Sequence, residues 1–305
     1  MTNETIGLVG IGMMGWHMAA NLVKAGRDVV IYDADQARAQ SFTSEIGGKV
    51  ASDLAGLARQ ASTVITMLPN SKIVTEVVLG ENGLAAGMGE GSTLIEMSSG
   101  APEATIALGA RLAEQGIAII DAPVSGGVPR AKTGELTIMA GGDEAVVEAC
   151  RPVLEIMGSS VVHVGILGAG QAMKALNNLV SAGGFLIGIE ALLIGQKFGL
   201  DPDRMVDILN SSSGMNNSTQ RKFKQYVLSR QFSDGGFGIG LMAKDVGIAL
   251  DVAKSVGVPV PFSAHCAQVW AAASIMLGAG EDHTAITRIC EQFAGMTLGS
   301  AEKEA

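Results

Sequence analysis

The chain has 305 residues, with 21 Lys and Arg against 30 Asp and Glu, a formal net charge of −9 and a pI near 5.0. That acidic balance argues against nucleic acid or an anionic membrane as a general partner, because both call for a basic surface. Hydrophobic residues at 48% against 17% charged exclude a disordered chain, and 41 glycines without a period of three exclude collagen.

Ile6–Val9 reads as a short buried strand, followed at once by Gly10-Ile11-Gly12-Met13-Met14-Gly15. A helix is predicted over Met13–Lys24, stopping near Gly26. Val29–Tyr32 is the next β-branched run, and Asp33 closes it. Further apolar runs lie at Thr63–Leu68, Thr93–Met97, Ile117–Ile120, Leu136–Met139 and Val161–Val164, with helix-length segments between most of them. Continuous apolar strands alternating with helices predict an α/β fold with a doubly wound parallel sheet. After about Gly165 the strand signals stop. One long helix is predicted over Gly170–Phe198, then a start at Asp201-Pro202 with Asp201 as N-cap. Helical periodicity continues through Met205–Leu209, Ser218–Leu228, Leu241–Val256, Phe262–Leu277 and Thr284–Phe293, and the short charged tail after Ser300 is expected to fray. The expected organisation is therefore 1–164 as a dinucleotide-binding domain and 165–305 as an all-α domain.

Cys150, Cys266 and Cys290 are widely spaced and in no CxxC, and the four histidines are isolated, so neither a disulfide framework nor a metal site is expected. The N-terminal stretch carries Glu4 and no basic run, unlike a signal peptide. No apolar run reaches the roughly 18–20 residues of a membrane span without a polar interruption. The expectation is a reduced cytoplasmic protein without a membrane partner.

Gly10, Gly12 and Gly15 form G-x-G-x-x-G between a strand and a helix. Glycine serves there in a tight turn, in the approach of backbone to pyrophosphate and in close helix packing, with the phosphates at the helix N-terminus. Asp33, 18 residues after Gly15, stands where a carboxylate takes the ribose hydroxyls. It repels a 2′-phosphate, and Ala34 and Asp35 offer no arginine to hold one, so NAD is favoured over NADP. A second motif, Asp121-Ala-Pro-Val-Ser125-Gly126-Gly127, follows a strand and offers backbone N–H groups and a hydroxyl to a carboxylate. A third, Gly168-Ala-Gly-Gln-Ala-Met-Lys174-Ala-Leu-Asn177-Asn178, opens the long helix. Lys174 and Asn178 are four residues apart and share a helical face, and an amine in so apolar a segment is costly without a function. The fourth, Gly235-Gly-Phe237-Gly-Ile-Gly-Leu-Met-Ala-Lys244-Asp245, precedes another helix.

In this order the blocks 10–22, 121–127, 168–178 and 241–249 resemble the β-hydroxyacid dehydrogenase family, which includes 3-hydroxyisobutyrate dehydrogenase and the tartronate semialdehyde reductases, over essentially the whole chain. The resemblance implies a Rossmann domain followed by an all-helical one, with the dinucleotide and substrate in the cleft between them. Gly10, Ile11, Gly12, Met13, Met14, Gly15 and Asp33 match the dinucleotide loop. Met67-Leu68-Pro69, Ser98-Ser99, Phe237, Lys244 and Asp245 match positions near the cofactor. Ser125, Gly126 and Gly127 match the substrate loop, with Lys244 beside it, Lys174 the catalytic lysine and Asn178 the substrate-orienting asparagine.

The implied reaction moves a hydride between NAD and a small 3-hydroxy acid, giving a semialdehyde, with Lys174 as general acid/base. A free lysine titrates near ~10.4, and burial with Lys244 nearby is expected to lower Lys174. The reverse direction, reduction of a tartronic, succinic or sulfo-aldehyde, or a serine- or threonate-like substrate, stays open within the family. Residues 210–231 fit no defined substrate subclass, and Arg221, Lys222 and Lys224 leave a sugar phosphate open. A dinucleotide-binding module without catalysis is the rival from another class, and it predicts that the lysine at 174 is replaced. The apolar, Gly- and Ala-rich helical half suits burial against another subunit, and the resemblance implies a homodimer or homotetramer.

Overall fold

The computed structural model describes residues 4–232 and 236–299, so Gly235 of the fourth motif and the tail after Ser300 lie outside the described residues. The chain falls into two compact units, 1–174 and 175–305.

In the first unit nine strands form one sheet: β1 (Ile6–Val9), β2 (Val29–Tyr32), β3 (Lys49–Val50), β4 (Thr63–Thr66), β5 (Thr93–Glu96), β6 (Ala118–Asp121), β7 (Val124–Ser125), β8 (Leu136–Gly141) and β9 (Gly158–Gly165). Between them run α1 (Met13–Lys24), α2 (Gln36–Glu45), α3 (Leu54–Ala58), α4 (Ser71–Leu79), α5 (Pro102–Ala113), α6 (Gly127–Thr133) and α7 (Glu144–Met157). The strand order is β3-β2-β1-β4-β5-β6-β8-β7, with β9 beside β8. Alternate residues of the central strands feed opposite apolar layers, as a two-sided strand must. Ile6, Leu8, Ile31, Ile65 and Ile95 pack with Met18, Leu22 and Phe42. Val9, Val30, Val64 and Leu94 pack with Leu57, Val74 and Leu108 on the other face.

The strands from β3 to β6 are parallel, and β1 pairs with both β2 and β4. The chain leaves β1 in one direction and returns past it to β4, so the loop after β1 sits at the topological switch point, where open α/β sheets bind ligands. This is a Rossmann-type doubly wound sheet, mostly parallel. Its far end departs from the expectation: β8 runs antiparallel to β6 and β7, and only β9 pairs parallel with β8. The two-residue strands β3 and β7 are too short to leave a periodic signal.

The helical part begins with α8 (Ala169–Phe198), whose first turns belong to the first unit, and continues through α9 (Pro202–Asn210), α10 (Asn217–Arg221), α11 (Ile239–Ser255), α12 (Pro261–Leu277) and α13 (Thr287–Ala294). Asp201 caps α9 as expected, accepting from the N–H groups of Asp203 and Arg204 at 2.8 and 3.1 Å. The single helix expected over Ser218–Leu228 is instead α10 followed by a wide π-type turn over Phe223–Leu228. Phe223 there packs so closely on α8 that a Cβ at Gly188 would meet its ring at 2.5 Å. The core of this unit gathers Phe185, Ile189 and Leu192 of α8 with Val246, Trp270 and Ile289.

α8 also corrects the expectation that no apolar run is long enough to span a membrane. By length and composition it suffices to cross a bilayer, with a mean hydropathy of 1.7 over 18 residues, but half of that window is buried inside the protein.

Candidate active site

The glycine loop separates the three reasons for its glycines. Gly10 adopts φ +93°, and a Cβ there would lie 2.3 Å from the Met67 carbonyl oxygen. A Cβ at Gly15 would lie 1.9 Å from the carbonyl oxygen of Gly10. Both are therefore glycine because the protein's own backbone requires it. Gly12 is different: φ is −64° and a Cβ would meet nothing within 4 Å. Only something outside the chain needs that space empty.

Gly12 is also the N-cap of α1, with no side-chain cap bond and no acid in the first turn, so the positive end of a 12-residue helix faces the opening. Met13 is exposed and Met14 half-buried beside it, whereas Ile11 is wholly buried. The Ile11 backbone N–H donates to Asp33 Oδ2 at 2.8 Å, which ties the glycine loop to the end of β2. Asp33 Oδ1 accepts from Asp35 N–H at 2.8 Å. Arg38 of α2 lies 3.6 Å from Asp33 and 3.3 Å from Asp35, an arginine that a reading of the two residues after Asp33 misses. A cradle open at Gly12, an uncapped helix terminus and a fixed carboxylate at the second strand end fit a dinucleotide.

The loops after β4 and β5 lie at the same carboxyl-terminal edge. Ser98 is buried and its hydroxyl accepts from Leu68 N–H at 2.9 Å, so it holds Met67-Leu68-Pro69 in place and does not present its oxygen to solvent. Ser99 and Met67 are half-buried and Pro69 is exposed. After β6 the second motif is not a plain loop: Val124 and Ser125 form β7, with Ser125 opposite Thr137 of β8. Gly126 and Gly127 follow at φ +135° and +64°, which turns the chain so sharply that α6 begins at once. Ser125 and Gly126 are half-buried and Gly127 is exposed.

Behind this edge lie buried polar residues of the second and third motifs, and the partners of Asp121 and Gln171 show in no local pattern. Asp121 accepts from the N–H groups of Gly168 and Gln171, both at 2.7 Å, and so caps the start of α8. Burial raises its carboxyl above the ordinary range, though the backbone bonds from Gly168 and Gln171 oppose that. Gln171 bridges to Glu96, Ser98 and Gly100. On the next turn stands Lys174, with only 8% of its surface exposed in a helix otherwise rich in Ala, Leu and Gly.

In the helical unit Asn178 is buried, and its Nδ2 donates to Asp245 Oδ2 at 2.5 Å while its Oδ1 accepts from Asn177 at 3.0 Å. Asp245, 2% exposed, also has the Lys244 ammonium 3.3 Å from its other oxygen. The pairing brings together three of the expected site residues across 67 positions of sequence. Phe237, half-buried, leads into α11 and is pinned by its backbone: its N–H donates to Asp282 at 3.3 Å and its carbonyl accepts from His283 N–H at 2.8 Å. Burial alone would raise Asp282, but hydrogen bonds from His283 and Thr284 outweigh it and hold that carboxyl at about 2. Nearby, burial lowers the Lys222 ammonium to about 8.

The family model for the NAD binding domain of 6-phosphogluconate dehydrogenase matches residues 5–165. The model for the NAD-binding domain of NADP-dependent 3-hydroxyisobutyrate dehydrogenase matches 168–290. The chain is 36% identical to 2-(hydroxymethyl)glutarate dehydrogenase of Eubacterium barkeri, covering 97% of this chain and 98% of that one. It is 39% identical to mitochondrial 3-hydroxyisobutyrate dehydrogenase of Mus musculus over 88% of this chain and 82% of the relative. Among solved structures, Mycobacterium tuberculosis 3-hydroxyisobutyrate dehydrogenase with L-serine matches at a TM-score of 0.86 and 31% identity, covering 94% of this chain and 99% of that one.

Proposed function

From the premise that the chain belongs to the β-hydroxyacid dehydrogenase family and is an NAD(P)-dependent dehydrogenase of small hydroxy acids, we propose that it oxidises a 3-hydroxy acid to its semialdehyde with Lys174 as the proton-transfer group. The compounds named with the three relatives, 3-hydroxyisobutyrate, 2-(hydroxymethyl)glutarate and L-serine, share one fragment, a hydroxymethyl group on the carbon that bears a carboxylate. That fragment needs an anion cradle and a proton acceptor for one hydroxyl. Ser125 with the N–H groups of Gly126 and Gly127 takes the carboxylate. An amide nitrogen carries two protons, of which Asp245 takes one from Asn178, and the other orients the hydroxyl. Lys174 Nζ takes the hydroxyl proton as the hydride leaves the carbinol carbon, and returns it in the reverse direction. NAD(P), held by Gly10–Gly15, Asp33 and the loops at Met67–Pro69 and Ser98–Ser99, supplies the hydride acceptor. Lys244 and Phe237 border the same chemistry, with Asp245 fixing Lys244.

The observation that carries this reading is a lysine 8% exposed, one turn of α8 before an asparagine whose amide is itself anchored by a buried carboxylate. The dinucleotide is NAD in preference to NADP, because the Asp33 carboxylate repels a 2′-phosphate and Arg38 is engaged by Asp33 and Asp35. Residues 1–164 are the dinucleotide-binding domain and 165–305 the domain for hydroxy acid and assembly. Exposed Val180, Ile187, Ile194 and Phe198 line up along α8, an apolar stripe suited to a second copy in a homodimer or homotetramer. The acidic balance suits a cytoplasmic protein with no nucleic-acid or membrane partner.

The test is a panel of 3-hydroxy acids assayed by NADH appearance, with NAD and NADP titrated in parallel. Turnover confined to acids carrying the shared fragment, with NAD bound at least ten-fold tighter, is the expected result. Turnover of 2-hydroxy acids alone contradicts the substrate assignment, and equal affinity for both dinucleotides contradicts the role of Asp33.

A further inference from the structure

Gln171 lies three residues before Lys174 on α8 and is 1% exposed. Residues so spaced share a helical face, so what fixes one fixes the turn that carries the other. Every polar atom of its side chain is engaged. Nε2 donates to the Glu96 carboxylate in a short bond and to the Ser98 carbonyl at 2.7 Å, and Oε1 accepts from Gly100 N–H at 2.8 Å. Its backbone N–H donates to Asp121 Oδ2 at 2.7 Å. The bonds continue outward: Glu96 Oε1 accepts from Ser98 N–H at 2.8 Å, and the Ser98 hydroxyl accepts from Leu68 N–H at 2.9 Å.

We propose that Gln171 is a positioning residue, whose amide locks the turn carrying Lys174 to the loops after β4 and β5, so that the proton acceptor and the cofactor-side backbone hold one fixed relation. This rests on the reading of Lys174 as the proton-transfer group. The residue type follows from the partners. A carbonyl and a carboxylate require a donor, and the Gly100 N–H requires an acceptor on the same planar group, which only an amide side chain of this length supplies. Glutamate would place a second carboxylate against Glu96, and methionine would fill the volume with no bond at all. A buried network with every member satisfied is rigid, and rigidity at a proton-transfer site has kinetic weight, since about 1 Å of misplacement can cost ~10²-fold in rate.

The test compares Gln171→Met, Gln171→Glu and the exchanged pair Glu96→Gln with Gln171→Glu in the full chain, measuring kcat, KM for NAD and Tm, with Lys174→Met alongside. In folded Gln171→Met, kcat is expected to fall roughly 10–100-fold while KM for NAD stays within about three-fold. The exchanged pair again sets an amide against a carboxylate, and is expected to recover at least about three-fold in kcat over Gln171→Glu alone. A folded Gln171→Met with kcat within about two-fold of the parent, whatever its Tm, overturns the proposal. If that variant does not fold, equal kcat in Gln171→Glu and the exchanged pair overturns it instead. Should Lys174→Met keep its turnover, the assignment of the lysine fails; should Lys174→Met lose turnover while Gln171→Met keeps it, only the positioning role fails.

Discussion

In the first unit the glycine loop works by leaving atoms out. Gly10 and Gly15 clear the protein's own backbone, and Gly12 clears space that no protein atom uses. In the helical unit Asn178, Lys244 and Asp245 work by pairing: Asp245 holds the Asn178 amide across 67 positions of sequence and the Lys244 ammonium beside it. On the proposed reading a side chain at Gly12 leaves the fold intact and costs the ligand, whereas one at Gly10 or Gly15 strains the backbone itself. A site made of paired side chains leaves a buried group unpartnered when one member changes, so it loses geometry and stability together. The difference assigns separate failure modes to the two units, and substitutions in each should break in separate ways.

The largest expected effect is at Lys174. General acid–base catalysis is typically worth ~10²–10⁴-fold, so Lys174→Ala should lose at least that much turnover, while NAD binding measured by fluorescence titration stays near the parent value. Parallel loss of NAD binding would place the residue in the fold instead.

Next comes Glu96, the buried carboxylate behind both strand-end loops. Burial pushes it up to about 7, chiefly through desolvation, with the Ser98 hydrogen bonds pulling the other way and the Asp121 charge adding to the rise. A carboxyl raised in the folded state binds its proton there at pH values where the unfolded chain has released it. Stability from this group is thus full below the ordinary carboxyl range and is lost as pH rises to about 7. The span corresponds to about 3 kcal/mol at most. Denaturation curves between pH 4.5 and 7.5 should therefore show a downward slope that Glu96→Gln flattens, and an unchanged slope would contradict the assignment.

The glycines give the sharpest contrast inside one loop. Gly10→Ala forces a Cβ against the Met67 carbonyl at positive φ and should cost roughly 1–3 kcal/mol, read as a lower Tm. A Cβ at Gly12 meets no protein atom within 4 Å, so Gly12→Ala should keep its Tm within about 2 °C of the parent, which corresponds to about 1 kcal/mol at most, while KM for NAD rises at least ten-fold. A Gly12 variant that melted early would mean that the protein, not a ligand, requires the space.

The smallest effect is expected at Asp245. Asp245→Asn keeps the size but removes the charge facing Lys244 and leaves an amide opposite the Asn178 amide. KM for the hydroxy acid should rise about ten-fold, with Tm falling slightly and KM for NAD unchanged, in steady-state assays at saturating NAD. A change in KM for NAD alone would move Asp245 to the cofactor side.

The first unit was largely legible because its signals are local. Met13–Lys24 is helical over the residues that periodicity assigns, and the glycine spacing with Asp33 places the loop at the right strand end. The second motif was less so: Ser125-Gly126-Gly127 reads as a loop, but pairing with β8, which no local pattern encodes, makes Val124 and Ser125 a strand. The supports of the candidate site were invisible. Glu96 and Gln171 stand 75 positions apart, Asn178 and Asp245 67 apart, and nothing in a linear reading links either pair. Asp121 sat inside a recognised motif, yet its work as the cap of α8 depends on backbone N–H groups 47 and 50 residues later. The Lys244 ammonium, read from sequence for its charge, also lies 3.3 Å from the carboxylate of the residue beside it.

A crystal structure with NADH and a substrate-like 3-hydroxy acid bound tests the role of Lys174 most directly. The account predicts the Lys174 nitrogen about 2.6–3.2 Å from the substrate hydroxyl oxygen, with the carbinol carbon facing the nicotinamide. A lysine turned to bulk solvent, with another side chain holding that oxygen, would contradict it.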